Sequence, residues 1–360
     1  MLTDANGRAG SPARTLVLVA GSGRSGTSLF SGILQRLGYT VPKPEVPADP
    51  TNPRGFAESQ WVVDFHARLL SGARVQTADS RPAAWADMAR VGLDEKTRSV
   101  LRQWLAEQFA GGDHVIVKDP RLSWFLPLWR SCAHDVGAEA SFVTMLRHPA
   151  AVIDSKTRWY GGGQGEAGRA AGWVNQTLFT ERATREAPRV FVQYEHLLDD
   201  WTQTVARVGR VLDLSLVRDA PAAAIRDVHT FVDSSLSRSR ADWGDQRLPG
   251  PLRAQAEEVW ELVSRLADDA TPPDAADAIG AQLDAVRGAY VAFYAEAEAV
   301  AQSSIAAARR ASAHAARTSA PGLPRPALWL IRRVPLRWRR RVPTRVRHGL
   351  VRALRSAPAR

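Results

Sequence analysis

Residues 15–28 read Thr-Leu-Val-Leu-Val-Ala-Gly-Ser-Gly-Arg-Ser-Gly-Thr-Ser. The apolar, β-branched run from Leu16 to Val19 has the composition of a strand buried on both faces. It empties into a turn where Gly21, Gly23 and Gly26 let the backbone fold with its N–H groups inward. Leu29, Phe30, Ile33, Leu34 and Leu37 then recur at helical spacing. Strand, glycine-rich turn and helix N-terminus in that order form a cradle for anionic oxygens, held by backbone amides and by the hydroxyls of Thr27 and Ser28. The same residues also fit a plain tight connection, and downstream residues decide between the two.

Gly21 and Gly26 have the spacing of a nucleotide-triphosphatase loop, but Thr27 stands where that loop carries Lys. The cation comes earlier, at Arg24. A kinase or nucleotidase on this frame needs a carboxylate for Mg²⁺, and Asp119 keeps that alternative open.

Outward from this stretch, the chain alternates short apolar strands with helical patterns. Further strands are expected at His114–Val117, Ser141–Leu146 and Arg189–Gln193, and helices at about Ala57 to Leu70 and Leu93 to Phe109. Pro42, Pro44, Pro47, Pro50 and Pro53 make residues 42–54 an extended connection. The expected class is α/β, a P-loop-like parallel sheet flanked by helices. Such sheets bind ligands at the carboxyl ends of their strands. After the second, third and fourth strands stand Lys118-Asp119-Pro120-Arg121, Arg147-His148-Pro149 and Tyr194-Glu195-His196-Leu197. Cations at several exits converge on the first loop. Arg147 can present its planar fork to a second phosphate, apart from the loop.

At this point the chain resembles the sulfotransferases that use 3′-phosphoadenosine 5′-phosphosulfate. Their 5′-phosphosulfate loop is matched by Arg24-Ser25-Gly26-Thr27-Ser28, with Gly23 before it, and their 3′-phosphate motif by Arg147 and Ser155. Bacterial members are also similar at Asn52-Pro53-Arg54-Gly55-Phe56-Ala57-Glu58, at Lys118 to Arg121 and at Tyr194 to Leu197. The likeness covers roughly residues 14–245. Leu29 and Phe30 depart from the aromatic position that stacks near adenine in cytosolic members, and the Arg-Lys-Gly loop is absent. Arg238 and Arg240, or the loop at 244–250, are candidates to replace it, the alternative being an ordinary basic helix end.

The resemblance implies sulfuryl transfer to a hydroxyl acceptor without a metal. Arg24, Lys118 and the loop amides would hold developing negative charge. Glu58 matches the acidic residue that related carbohydrate and tyrosine sulfotransferases use as base; His66 is the second candidate, with His148 and Asp119 behind it. The likeness at residues 53–58 favours a saccharide or glycolipid acceptor over other small molecules. Trp61, Trp85, Trp159 and Tyr160, with Gly161 to Gly163, could form an aromatic wall and lid, although aromatics at these spacings also build cores.

The net charge of +11 hides a division. Residues 299–360 hold fifteen Arg and no acid, which leaves −4 for residues 1–298. Residues 1–13 are expected to be disordered, 14–270 to form the catalytic domain, 275–317 a helical extension and 318–360 a basic amphipathic tail. In the extension Ile279, Leu283, Val286, Tyr290, Phe293, Ala297 and Val300 form a seam, whose usual use is packing against the parent domain. In the tail, Trp and Leu interleave with twelve Arg between 325 and 360, a pattern suited to an anionic membrane surface rather than to nucleic acid. One cysteine, Cys132, excludes internal disulfides, and the N-terminus lacks a signal-peptide core. The expected setting is the cytoplasm, peripheral at the inner membrane face. A non-enzymatic membrane adaptor would account for the tail alone.

Overall fold

The structure, a computed structural model, describes residues 14–161, 164–232, 242–268 and 271–319. The expected N-terminal segment 1–13, Gly162 and Gly163, Arg238 and Arg240, and the tail from 320 onward lie outside the described residues. The described elements run β1 (Thr15–Ala20), α1 (Thr27–Arg36), α2 (Gln60–Ala73), α3 (Ala84–Leu93), α4 (Glu95–Ala110), β2 (His114–Lys118), α5 (Leu126–Asp135), β3 (Glu139–Leu146), α6 (Pro149–Tyr160) and α7 (Glu166–Thr184). They continue with β4 (Arg189–Gln193), α8 (Tyr194–Asp199), α9 (Trp201–Val211), α10 (Ser215–Arg218), α11 (Ala222–Phe231), α12 (Gly250–Leu266) and α13 (Pro273–Ser319).

The strands form one parallel four-stranded sheet in the order β2-β1-β3-β4. β1 pairs with β2 on one side, Leu16 opposite Val115, and with β3 on the other, Leu16 opposite Ala140. Consecutive connections therefore leave β1 in opposite directions, and the turn after β1 lies at the switch point where open α/β sheets bind ligands. Leu16 to Val19 are wholly buried because both faces are covered. Leu16, Leu18 and Ala20 pack with Val62 and Phe65 of α2, Trp104 of α4 and Trp129 of α5. Val17 and Val19 pack on the other face with Phe30 and Ile33 of α1 and Val205 of α9. This is the two-residue alternation of a strand, with apolar demand on both sides.

Two helix starts differ from expectation. α2 begins at Gln60, after an extended Ser59 and a left-handed Ala57 with φ 49°. Glu58 is consequently not a first-turn carboxylate. It lies on an extended segment whose carbonyl accepts from Val46 N at 2.8 Å, while Gln60 N donates to Pro44 O at 2.8 Å. α4 begins at Glu95 because Asp94 caps it, its carboxylate accepting from Thr97 N at 2.8 Å. The stretch between these helices, featureless in pattern, contains α3.

The chain divides into two compact units, residues 1–294 and 295–360. The first contains the early part of the expected extension: Ile279, Leu283, Val286 and Tyr290 are buried with Trp173 and Val174 of α7 and Leu252 and Val259 of α12. The Tyr290 hydroxyl donates to Ser80 O at 2.6 Å and lies 3.0 Å from Ala171 O. In the second unit the described helical residues 295–314 are exposed, Val300 and Ile305 among them. Among the described residues no helix is long and apolar enough to cross a membrane.

Candidate active site

The turn after β1 closes tightly, Ser25 N donating to Ser22 O at 3.1 Å. Gly26, with φ 92°, stands at the N-cap of α1. A side chain there would be strained by φ and blocked by the Tyr194 ring, whose Cδ2 crowds the place where a Cβ would stand. Arg24 has φ 78°, unfavourable for a non-glycine residue and a type of strain found where a side chain must be aimed. Its Nε donates to Ser155 Oγ at 3.0 Å and its Nη1 to Thr51 O at 3.4 Å.

The sequence separates the two phosphate motifs; the structure links them. α6 starts at Pro149, a first-turn proline, under a His148 cap. From the end of β3, Arg147 donates through Nη1 to Arg24 O at 3.0 Å, and its guanidinium lies 4.5 Å from the centre of the Tyr194 ring. Arg147 is 8% exposed, and its Nε is buried without a partner among the described residues, as is Ser25 Oγ. Unpaired buried donors are rare and costly, so this pair fits a site that receives anionic oxygens.

The remaining wall is Lys118, 3% exposed at the end of β2. Its Nζ donates to Ser28 Oγ at 2.8 Å, to Phe56 O at 3.4 Å and to Glu58 Oε1 in a short ion pair. Burial pushes the Glu58 carboxyl above its ordinary range, and Lys118 pulls it back only in part. Lys118 thus bridges Glu58 to Ser28 of the loop.

The other candidate bases are differently employed. His66 is fully buried, stacked 4.3 Å from Phe125, and its Nε2 accepts from Trp129 Nε1 at 2.9 Å. Its Nδ1 lies 3.3 Å from Asp119 Oδ2, an arrangement that puts the ring proton on Nδ1. Burial keeps the imidazole neutral, and it has no open face for a substrate proton. The expectation that His66 is catalytic is therefore corrected: it is a core residue. Asp119 is buried, which alone would raise its carboxyl, but contact with His66 and Arg121 holds it below the usual range. Arg121 Nη1 reaches both its oxygens, at 3.1 and 3.2 Å. His148 accepts from Ala150 N and packs its ring against Trp243 and Trp260.

The aromatic wall divides as well. Trp61 stacks on Trp104 at 4.4 Å and Trp85 meets Phe179 at 3.6 Å, so both belong to the core, because flat rings pack well between helices. Trp159, 44% exposed, stands 5.9 Å from the Arg24 guanidinium, and Tyr160 is exposed beside it. Three residues at the site carry no role in the sequence reading. Tyr194 wedges against Gly26 and Arg147, while Lys156 donates to Ser22 Oγ at 3.0 Å. Adjacency of Lys156 to Ser155 was the available signal.

Lys118→Met should strand the Glu58 carboxylate in a dry site. Urea denaturation at neutral pH should show a loss of about 3–5 kcal/mol, recovered largely by adding Glu58→Gln. With its carboxyl raised in the folded state, Glu58 in Lys118→Met takes up a proton as pH falls, so the loss should shrink in acid. An equal loss across pH would show that Lys118 stabilises through other contacts.

Comparison with curated protein sequences gives no match. Similar solved structures include two sulfotransferase domains. The sulfotransferase domain from the Synechococcus PCC 7002 olefin synthase is 18% identical, covering 71% of this chain and 97% of its own, with TM-score 0.42. The sulfotransferase domain from the curacin biosynthetic pathway is 15% identical, covering 71% of this chain and 99% of its own, with TM-score 0.39. A family profile described as Sulfotransferase family matches residues 17–219, which contain β1 from Val17 onward, all of β2 to β4, each residue of the loop, Glu58, Lys118, Arg147 and Ser155. The chain belongs to the sulfotransferase family.

Proposed function

We propose that this sulfotransferase takes its sulfuryl group from 3′-phosphoadenosine 5′-phosphosulfate and delivers it to a hydroxyl of a saccharide or glycolipid. The observation that carries the donor reading is the joining of Arg147 and Ser155 to the Arg24 loop, with Arg147 Nε and Ser25 Oγ buried and unpaired. A nucleotide with anionic groups at both its 3′ and 5′ positions satisfies both halves. Arg147 and Ser155 hold the 3′-phosphate, and the loop amides with Thr27 and Ser28 hold the 5′ end. The acceptor reading rests on residues 53–58.

Arg24 and Lys118 stabilise charge as the acceptor oxygen approaches sulfur, in a site dry enough for fixed donors to be effective. Glu58, held by Lys118 at Ser28, takes the acceptor proton. A Mg²⁺-dependent kinase would require Asp119, whose carboxylate is engaged by Arg121 and His66. The twelve Arg between 325 and 360, with Trp329 and Trp338 among them, support attachment to an anionic membrane surface at the cytoplasmic side.

By calorimetry, 3′,5′-adenosine bisphosphate should bind more tightly than AMP, and Arg147→Ala should remove most of that preference. An unchanged ratio would overturn the 3′-phosphate assignment. Glu58→Gln should lower turnover by about 10²–10⁴-fold with little change in nucleotide affinity. The wild-type rate should fall as acid protonates Glu58, beginning above the ordinary carboxylate range, and that limb should vanish in Glu58→Gln. A normal rate in the variant would move the proton transfer elsewhere. Truncation after Thr318 should keep nucleotide binding and abolish sedimentation with anionic liposomes, since each engaged Arg contributes about 1 kcal/mol at such a surface. Equal sedimentation of both forms would refute the membrane reading.

A further inference from the structure

Lys156 is a partly buried cation with no carboxylate partner among the described residues. Its Nζ reaches from α6 back to the loop, donating to Ser22 Oγ at 3.0 Å. One residue earlier on the same helix, Ser155 accepts from Arg24. Among the described residues, the charged groups near Lys156 offer no compensation. Asp154 and Arg158 on its own helix pair with each other at 3.1 Å, and Arg24 on the loop is turned to Ser155 and Thr51. Arg169 of α7, held by Thr157 Oγ1 and Gly161 O, adds a like charge. Burial, with repulsion from Arg169, pushes the Lys156 ammonium down to about 8. An isolated charge of this kind costs stability unless something anionic arrives to pair with it.

We propose that Lys156 is a positioning residue for the 5′ end of the donor nucleotide: pinned to Ser22 at the base of the loop, its ammonium supplies positive charge that an incoming 5′-phosphate or phosphosulfate group balances. The proposal rests on the donor reading above, and it separates the work of α6 by phosphate. Arg147 and Ser155 serve the 3′-phosphate; Lys156 serves the 5′ end. Binding of an anion beside Lys156 favours its protonated form, so nucleotide binding near pH 8 draws a proton from solution.

Isothermal titration of wild type and Lys156→Met with 3′,5′-adenosine bisphosphate and with AMP, in buffers of different ionisation enthalpy, tests this. At pH 8 the wild type should take up about half a proton on binding either nucleotide. Lys156→Met should lose at least about tenfold in affinity for both nucleotides alike and take up no proton there. Because the isosteric Met removes an unpaired buried charge, the nucleotide-free variant should melt higher than wild type at neutral pH, by about 2–4 °C. Unchanged affinity or unchanged proton uptake in Lys156→Met would overturn the proposal and leave the donor reading intact. A variant that melts lower than wild type would also overturn it, by making the lysine a structural prop. Wild type that binds neither nucleotide would overturn the donor reading and the lysine assignment together.

Discussion

Everything at this site depends on the buried ammonium of Lys118. It lies at the end of β2, one strand over from the loop, and binds the Ser28 hydroxyl, the Phe56 carbonyl and the Glu58 carboxylate together. A charge in so dry a place is tolerated only when its donors are satisfied, and three segments distant in sequence must come together to satisfy it. The proline-rich connection is thereby drawn against the loop, and Glu58 is delivered to the site although no helix carries it.

On the other side of β1, α6 performs the matching task. Arg147 at its approach and Ser155 within it hold the backbone and guanidinium of Arg24, and Tyr194 from the end of β4 fills the space that Gly26 leaves. The left-handed Arg24 is kept in place by these contacts and not by any local preference. The left-handed Arg24 and the unpaired Ser25 Oγ and Arg147 Nε meet at the loop, while β1 itself is paired on both edges and packed on both faces. This distribution is what a preorganised anion site requires, because donors already desolvated and aimed need not reorganise during reaction.

Residues that looked alike in one dimension separate when their surroundings are known. Glu58 and His66 were both plausible bases. The carboxylate shares the Lys118 ammonium with the loop hydroxyl of Ser28, and the imidazole ended between Phe125, Trp129 and Asp119. Trp61 and Trp159 were both plausible walls for an acceptor. One became a ring in the stack under α2, and the other remained exposed near Arg24. Spacing along a helix reports which face a residue occupies, but not whether that face meets a core or a cleft.

What the sequence determined by itself was local or periodic. A β-branched run before a glycine-rich turn dictates strand, cradle and helix, since only glycine accepts the turn's backbone and only covered faces accept Leu16 to Val19. The alternation of strands and helices carries the parallel sheet with it, and the paired phosphate motifs carry the family. Tertiary structure decided what depends on meeting: that Glu58 pairs with Lys118, that Arg24 reaches Ser155, that His66 is core, and that Lys156 returns to Ser22. Those outcomes turn on burial and on partners 60 to 134 residues away, quantities that no window of sequence contains.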